Sequence, residues 1–209
     1  MATKSDRFSD WMWRDNPVNV EVTIGRTIFV LKKKALTTHS QFFRNAFGEH
    51  FKEGQTRVLN LPETDADVFE LFTTWMRTKE LPSFSCSEYQ AITTPAENGS
   101  RAEKLWDSII SRSYIFAHMY MIDEFAAQLH EAFMEAHFPA NGDAQVVFTR
   151  FPAHATLTRL FDDVPEFAPI LKSISKGLMT FFDAEPQGHT MFHFHLPSSI
   201  KGRFMMLGG

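Results

Sequence analysis

The residues from 18 to 31 alternate between apolar and polar. Val18, Val20, Val22 and Ile24 are apolar, with Asn19, Glu21 and Thr23 between them, and the apolar run resumes from Ile28 to Leu31 after Gly25-Arg26. A period of two predicts a half-buried strand on each side of the dipeptide. A glycine-containing pair between two short runs predicts a hairpin. The spacing then lengthens. Leu36, Phe43 and Phe47 mark short helices packed under the hairpin, with Ser40 as an N-cap. A third strand is expected over 57–61 (RVLNL), ended by Pro62.

Longer helices follow. Thr64 and Asp67 read as a capping box for a helix whose apolar face is Val68, Leu71, Phe72, Trp75 and Met76. Over 105–121, Leu105, Ile109, Ser113, Phe116, Ala117 and Tyr120 share one helical face. Asp123 is the expected N-cap of the next helix, whose stripe is Phe125, Leu129, Ala132, Phe133 and Ala136. Between these helices, 82–100 is rich in Ser, Thr and Pro and has no period, so a loop is expected at 82–104. Pro139 to Asp143, PANGD, is the best domain boundary. Beyond it, 156–162 and 167–182 read as helices. Phe167, Ile170, Leu171, Ile174, Leu178 and Phe181 form a stripe that these helices cannot bury alone. They are expected to pack on the preceding helices or on a partner.

The order strands-then-helices gives an α+β class. The expected organisation is a mobile segment at 1–15, one domain at 16–138 with its loop at 82–104, a helical extension at 144–183 and a tail at 184–209.

Composition narrows the functional range. With 209 residues, 44% hydrophobic and 22 phenylalanines, the chain builds a packed, aromatic core. The net charge of −4 gives no reason to expect a phosphate backbone as partner. Lys32-Lys33-Lys34 is the only basic run and reads as a solvated helix start. A lone cysteine, Cys86, allows no internal disulfide and fits a reducing compartment. The opening MATKSDRFSD lacks the apolar stretch of a secretory leader, and no run has the roughly 18 apolar residues of a spanning helix. The chain is therefore expected to be intracellular, in cytoplasm or nucleus, without a membrane partner.

The stretch containing Phe29, Leu31, Lys32, Lys33, Leu36, Ser40, Phe42 and Phe43 resembles the BTB/POZ domain. In that family a Phe, an aliphatic residue, His-Lys, Leu and Ser recur at this spacing, with aromatics following. The likeness extends over about 16–137. SYIFAHMYMIDEFAAQLHEAF is similar to the last helical hairpin of BTB domains in fungal single-domain proteins. The chain departs from the pattern at three places. Lys32 replaces the family's His. Asn19 replaces the Asp at the start of the first strand. Arg77-Thr78-Lys79-Glu80-Leu81 stands where the family has a Tyr-Thr-Gly turn. The resemblance implies a small mixed sheet capped by helices, here with a C-terminal helical extension.

The resemblance also implies a function: protein–protein interaction and self-association, in its narrower form as a substrate adaptor of a cullin-based ubiquitin ligase. Cullin-binding members carry a hydrophobic residue, any residue and Glu in the loop where Phe51-Lys52-Glu53 stands. An apolar side chain on a loop is an anchor for a partner's groove, and a nearby carboxylate adds a charge-assisted hydrogen bond. The plainer reading has Phe51 folded back on its own core. Phe8, Trp11 and Trp13 must be buried somewhere, against one end of the domain or against a second copy. The family's habit of packing an N-terminal segment on a partner subunit favours a homodimer contact.

Two alternatives stand beside the adaptor reading. Transcription co-regulation through a BTB dimer is disfavoured by Asn19 and by the lack of a DNA-binding motif. A metal-binding tail would use His189, His193 and His195. His193 and His195 alternate with Phe192, Phe194 and Leu196, however, which is strand periodicity. No G-x-S-x-G, P-loop or G-x-G-x-x-G occurs, so neither catalysis nor a cofactor is expected.

Overall fold

The computed structural model describes residues 18–81, 100–138, 154–165 and 168–184. Strand β1 (Asn19–Ile24) pairs antiparallel with β2 (Thr27–Lys32), and Val20 faces Leu31 while Val22 faces Phe29. Gly25 takes a left-handed φ of 58° at the first central turn position, which suits the right-handed twist of the strands it joins. Strand β3 (Val58–Asn60) lies parallel on the other edge of β1, so the order is β2-β1-β3. The alternation has the expected effect: Val20, Val22 and Ile24 are buried and Glu21 is exposed.

The third strand is shorter than the expected 57–61. Arg57 turns to a left-handed φ of 60° to close the short helix before it, so it contributes only its carbonyl to the ladder. The Glu21 N–H donates to that carbonyl at 2.8 Å, and the Leu61 N–H donates to Thr23 at 2.9 Å beyond the strand's other end.

The helices are α1 (Lys33–His39), α2 (Gln41–Ala46), α3 (Lys52–Thr56), α4 (Ala66–Thr78), α5 (Ser100–Met119), α6 (Asp123–His137), α7 (His154–Asp163) and α8 (Pro169–Ala184). Among the described residues, none of them is long and apolar enough to cross a membrane. The described residues form two compact units. The first comprises 18–81 with 116–127, and the second holds the remainder.

The core of the first unit is aromatic. Phe72 lies at its centre, in ring contact with Phe43, Phe69, Trp75, Phe116 and Phe125. Phe29 of β2 reaches this cluster edge-on through Phe69 at 4.8 Å, which ties the sheet to α4. Burial of such rings is the main stabilising term, and offset or edge contacts add about 0.5–1.5 kcal/mol each.

Two caps differ from expectation. Ser40 does cap α2, accepting from the Phe43 N–H at 3.1 Å. Thr64 and Asp67 do not form a capping box. Asp65 occupies the N-cap of α4 without a side-chain cap bond, and Thr64 Oγ1 bonds the Tyr120 hydroxyl at 3.0 Å instead. A long-range partner has outcompeted the local one. Asp123 is the first residue of α6 rather than its cap, and the Ile122 carbonyl accepts from the Ala126 N–H at 3.0 Å. Before it, Met121 turns to φ 53°, with Ile122 N–H bonded to Ala117 and Met121 N–H to His118. This pair of bonds closes a helix around a left-handed residue.

Helix α5 begins at Ser100, so 100–104 open the helix instead of ending the expected loop. Ser-Arg-Ala-Glu-Lys after Gly99 is a run of good helix formers. In the second unit, Ile109, Leu129, Phe133, Ile170, Leu171 and Ile174 are buried as their spacing predicts. Tyr114 of α5 is hydrogen-bonded by the backbone of Ile170, and burial pushes its hydroxyl above the usual tyrosine range. A Cβ at Gly177 of α8 would lie 2.8 Å from the Phe138 ring, so a larger residue there would force that ring to move. Leu105, Phe167, Leu178 and Phe181 lie outside the described side chains.

Candidate partner-binding surface

Helix α2 ends at Phe47, whose carbonyl accepts from Lys33 Nζ at 2.6 Å. The chain then folds into a tight loop over 48–54. Gly48 N–H donates to Asn45 at 2.9 Å, Phe51 N–H to Gly48 at 3.1 Å, and Gly54 N–H to Phe51 at 3.1 Å. Gln55 reaches back from α3 to the Glu49 carbonyl at 3.3 Å. Two glycines close the loop. A Cβ on Gly54 would stand 2.0 Å from the Gly48 carbonyl oxygen, and one on Gly48 would stand 2.9 Å from that of Asn45. Only residues without Cβ let the backbone approach so closely.

This frame sets the position of Phe51, the N-cap residue of α3. Its side chain is 54% exposed, so the folded-back alternative does not hold. Lys52 is exposed and Glu53 partly so, and the Glu53 carbonyl accepts from the Arg57 N–H at 2.8 Å. Arg57 in turn bonds Glu21, so the loop is connected by backbone hydrogen bonds to the central strand.

The outer face of the sheet was not legible as a surface in the sequence. Ile28 and Val30 are each 59% exposed, and Val58 is exposed on the opposite edge. Val30, Glu21 and Val58 form one row across the strands, with the carboxylate in the middle. The clue was present in the sequence: β2 is apolar at every position from Ile28 to Leu31, which a strand with one buried face does not need.

The other expected site residues lie outside the described residues: Phe8, Trp11, Trp13, Cys86, His189, His193 and His195. Among the described residues, no group of three or more His, Cys, Asp or Glu side chains could hold a metal ion.

The 48–54 loop thus leaves an aromatic residue exposed on a backbone-bonded frame. The family model of the BTB/POZ domain matches residues 8–94, and the chain contains a BTB/POZ domain. It is thereby a protein–protein interaction module. The match includes Phe8, Trp11 and Trp13 as well as the whole 48–54 loop. No curated protein matches the chain.

Proposed function

We propose that the chain works as an adaptor that docks on a cullin scaffold through Phe51 and Glu53 and self-associates through Phe8, Trp11 and Trp13. The observation that supports the docking reading is the exposure of Phe51 on a loop closed by Gly48 and Gly54. Holding a large apolar ring in water is unfavourable for an isolated domain. Pre-forming its position reduces the ordering cost when a groove covers it.

Binding of the full chain to the N-terminal domain of a cullin tests the reading. Wild type is expected to bind, and Phe51→Ala with Glu53→Ala to weaken binding at least tenfold, as loss of a central anchor does. A wild-type chain that does not bind removes the adaptor reading. For self-association, light scattering should give a dimer mass for wild type and a monomer mass when Trp11 and Trp13 are replaced by Ser. A monomeric wild type removes that part.

A further inference from the structure

Three helix ends of the first unit meet at one corner. His39 is the last residue of α1, Lys79 closes α4, and Glu124 lies in the first turn of α6. Lys79 Nζ donates to Glu124 Oε2 at 2.9 Å and sits 3.1 Å from His39 Nδ1. It also lies 3.8 Å from the centre of the Trp75 ring. The His39 ring stands edge-on to Trp75 at 5.3 Å, and its Nδ1 is 3.5 Å from Glu124 Oε2.

The Lys79 contact is a hydrogen bond in only one state of His39. An ammonium group has three donors and no acceptor. Its approach to Nδ1 is a hydrogen bond only when that nitrogen presents its lone pair, as it does when His39 is neutral with its proton on Nε2. Adding a proton at Nδ1 sets donor against donor and cation against cation. Glu124 Oε2 is the acceptor next in reach. The charged groups facing His39 are Lys79 from α4 and Glu124 from α6. The two side chains differ in freedom. His39 is 14% exposed and held against Trp75, whereas Lys79 is 28% exposed on a flexible stem.

We propose that this corner is a proton-operated exchange of partners. With His39 neutral, Lys79 is clamped between His39, Glu124 and the Trp75 ring. When His39 takes a proton from solvent at Nδ1, that N–H hydrogen-bonds Glu124 Oε2 while the ring stays cationic, and Lys79 is released to solvent. The released group is at the residue whose backbone φ of 60° leaves the usual helical range. Burial and the charge of Lys79 both oppose protonation of His39, while Glu124 favours it, so the exchange belongs to mildly acid conditions. The device is independent of the Phe51 reading.

The test is an NMR titration of the full chain, following the His39 ring and the order parameter of the Lys79 Cε methylene. Lys79 should be ordered while His39 is neutral and should become as mobile as the exposed Lys52 with the His39 midpoint. Lys79→Met should move the His39 midpoint upward, because a repelling charge is gone. Glu124→Gln should move it downward. A Lys79 side chain that stays ordered through the His39 transition overturns the proposal. So does a His39 midpoint that neither substitution moves.

Discussion

Ser40 supports two helices with one hydroxyl. It is 1% exposed. Its Oγ accepts from the Phe43 N–H at 3.1 Å, which caps the start of α2. The same hydroxyl donates to the Tyr120 carbonyl at 2.6 Å, at the C-terminal end of α5. Helix ends leave such carbonyls without intrahelical partners, so the donor must come from elsewhere. Ser40→Ala removes both bonds. Loss of an N-cap costs about 1 kcal/mol. A buried carbonyl left without a donor costs about 1–2 kcal/mol more. The expected loss is therefore roughly 2–3 kcal/mol, large against a total stability of about 5–15 kcal/mol. Urea unfolding followed by circular dichroism measures it. Ser40→Gly distinguishes the two contributions. Glycine is itself an acceptable N-cap, within a few tenths of a kcal/mol of serine, yet it cannot reach Tyr120. Gly should therefore cost about 1–2 kcal/mol, roughly 1 kcal/mol less than Ala. A loss below about 1 kcal/mol for Ser40→Ala would mean that water replaces the hydroxyl, and the two-helix account would be wrong.

The 48–54 loop should separate stability from binding. Gly54→Ala forces backbone against backbone and is expected to cost about 1–3 kcal/mol, whereas Phe51→Ala, at an exposed position, should stay within about 0.5 kcal/mol of wild type. Equal thermal midpoints for the two variants would contradict the Gly48–Gly54 closure. The pH dependence follows from His39, His118 and His130, which burial holds below the ordinary value of 6.5. Above that value neither folded nor unfolded chain protonates them. Below it the unfolded chain gains protons that the folded chain resists, so stability should fall as pH drops from 6.5. A melting temperature that is flat between about pH 7.5 and 5.5 would refute this. Met121 and Lys79 share a left-handed φ, 53° and 60°, but not the same surroundings. Met121→Gly should relieve about 1 kcal/mol of backbone strain, while Lys79→Gly should gain nothing because it also loses the Trp75 and Glu124 contacts. Equal gains in the two would show that the Lys79 contacts contribute little.

Period and spacing carried the fold a long way. The hairpin, the buried face of α4 and the stripes of α5 and α6 were legible because burial selects apolar residues at the period of the backbone. The capping box failed because its signal is local, while the partner that Thr64 takes is Tyr120, far along the chain. The exposure of Phe51 was not legible either. Its sequence context, GEHFKEG, is equally compatible with an inward ring. What decides is the contact of Gly54 with Gly48, a tertiary feature that no periodic pattern encodes. The Lys79 corner was hidden for the same reason: its members come from three helices, and the sequence signalled only a missing glycine.

The family match ends at residue 94, but the physical unit does not. Residues 116–127 belong to the first unit, and several kinds of interaction tie them to it. Phe116 and Phe125 cover Phe72, and Phe125 lies 4.9 Å from Trp75. The Tyr120 hydroxyl meets Thr64, its carbonyl meets Ser40, and Glu124 meets Lys79. Each of those partners lies within the matched residues and is left with an uncovered ring, an unpaired hydroxyl or an unbalanced charge if the later segment is removed. Uncovering Phe72 and Trp75 alone forfeits about 1.5–3 kcal/mol per ring. A chain cut after the matched region should therefore collapse without a fixed aromatic core, even though every strand and every turn of the hairpin is present. Residues 116–127 belong to the same compact unit as the sheet and α4, and the packing of α4 depends on them.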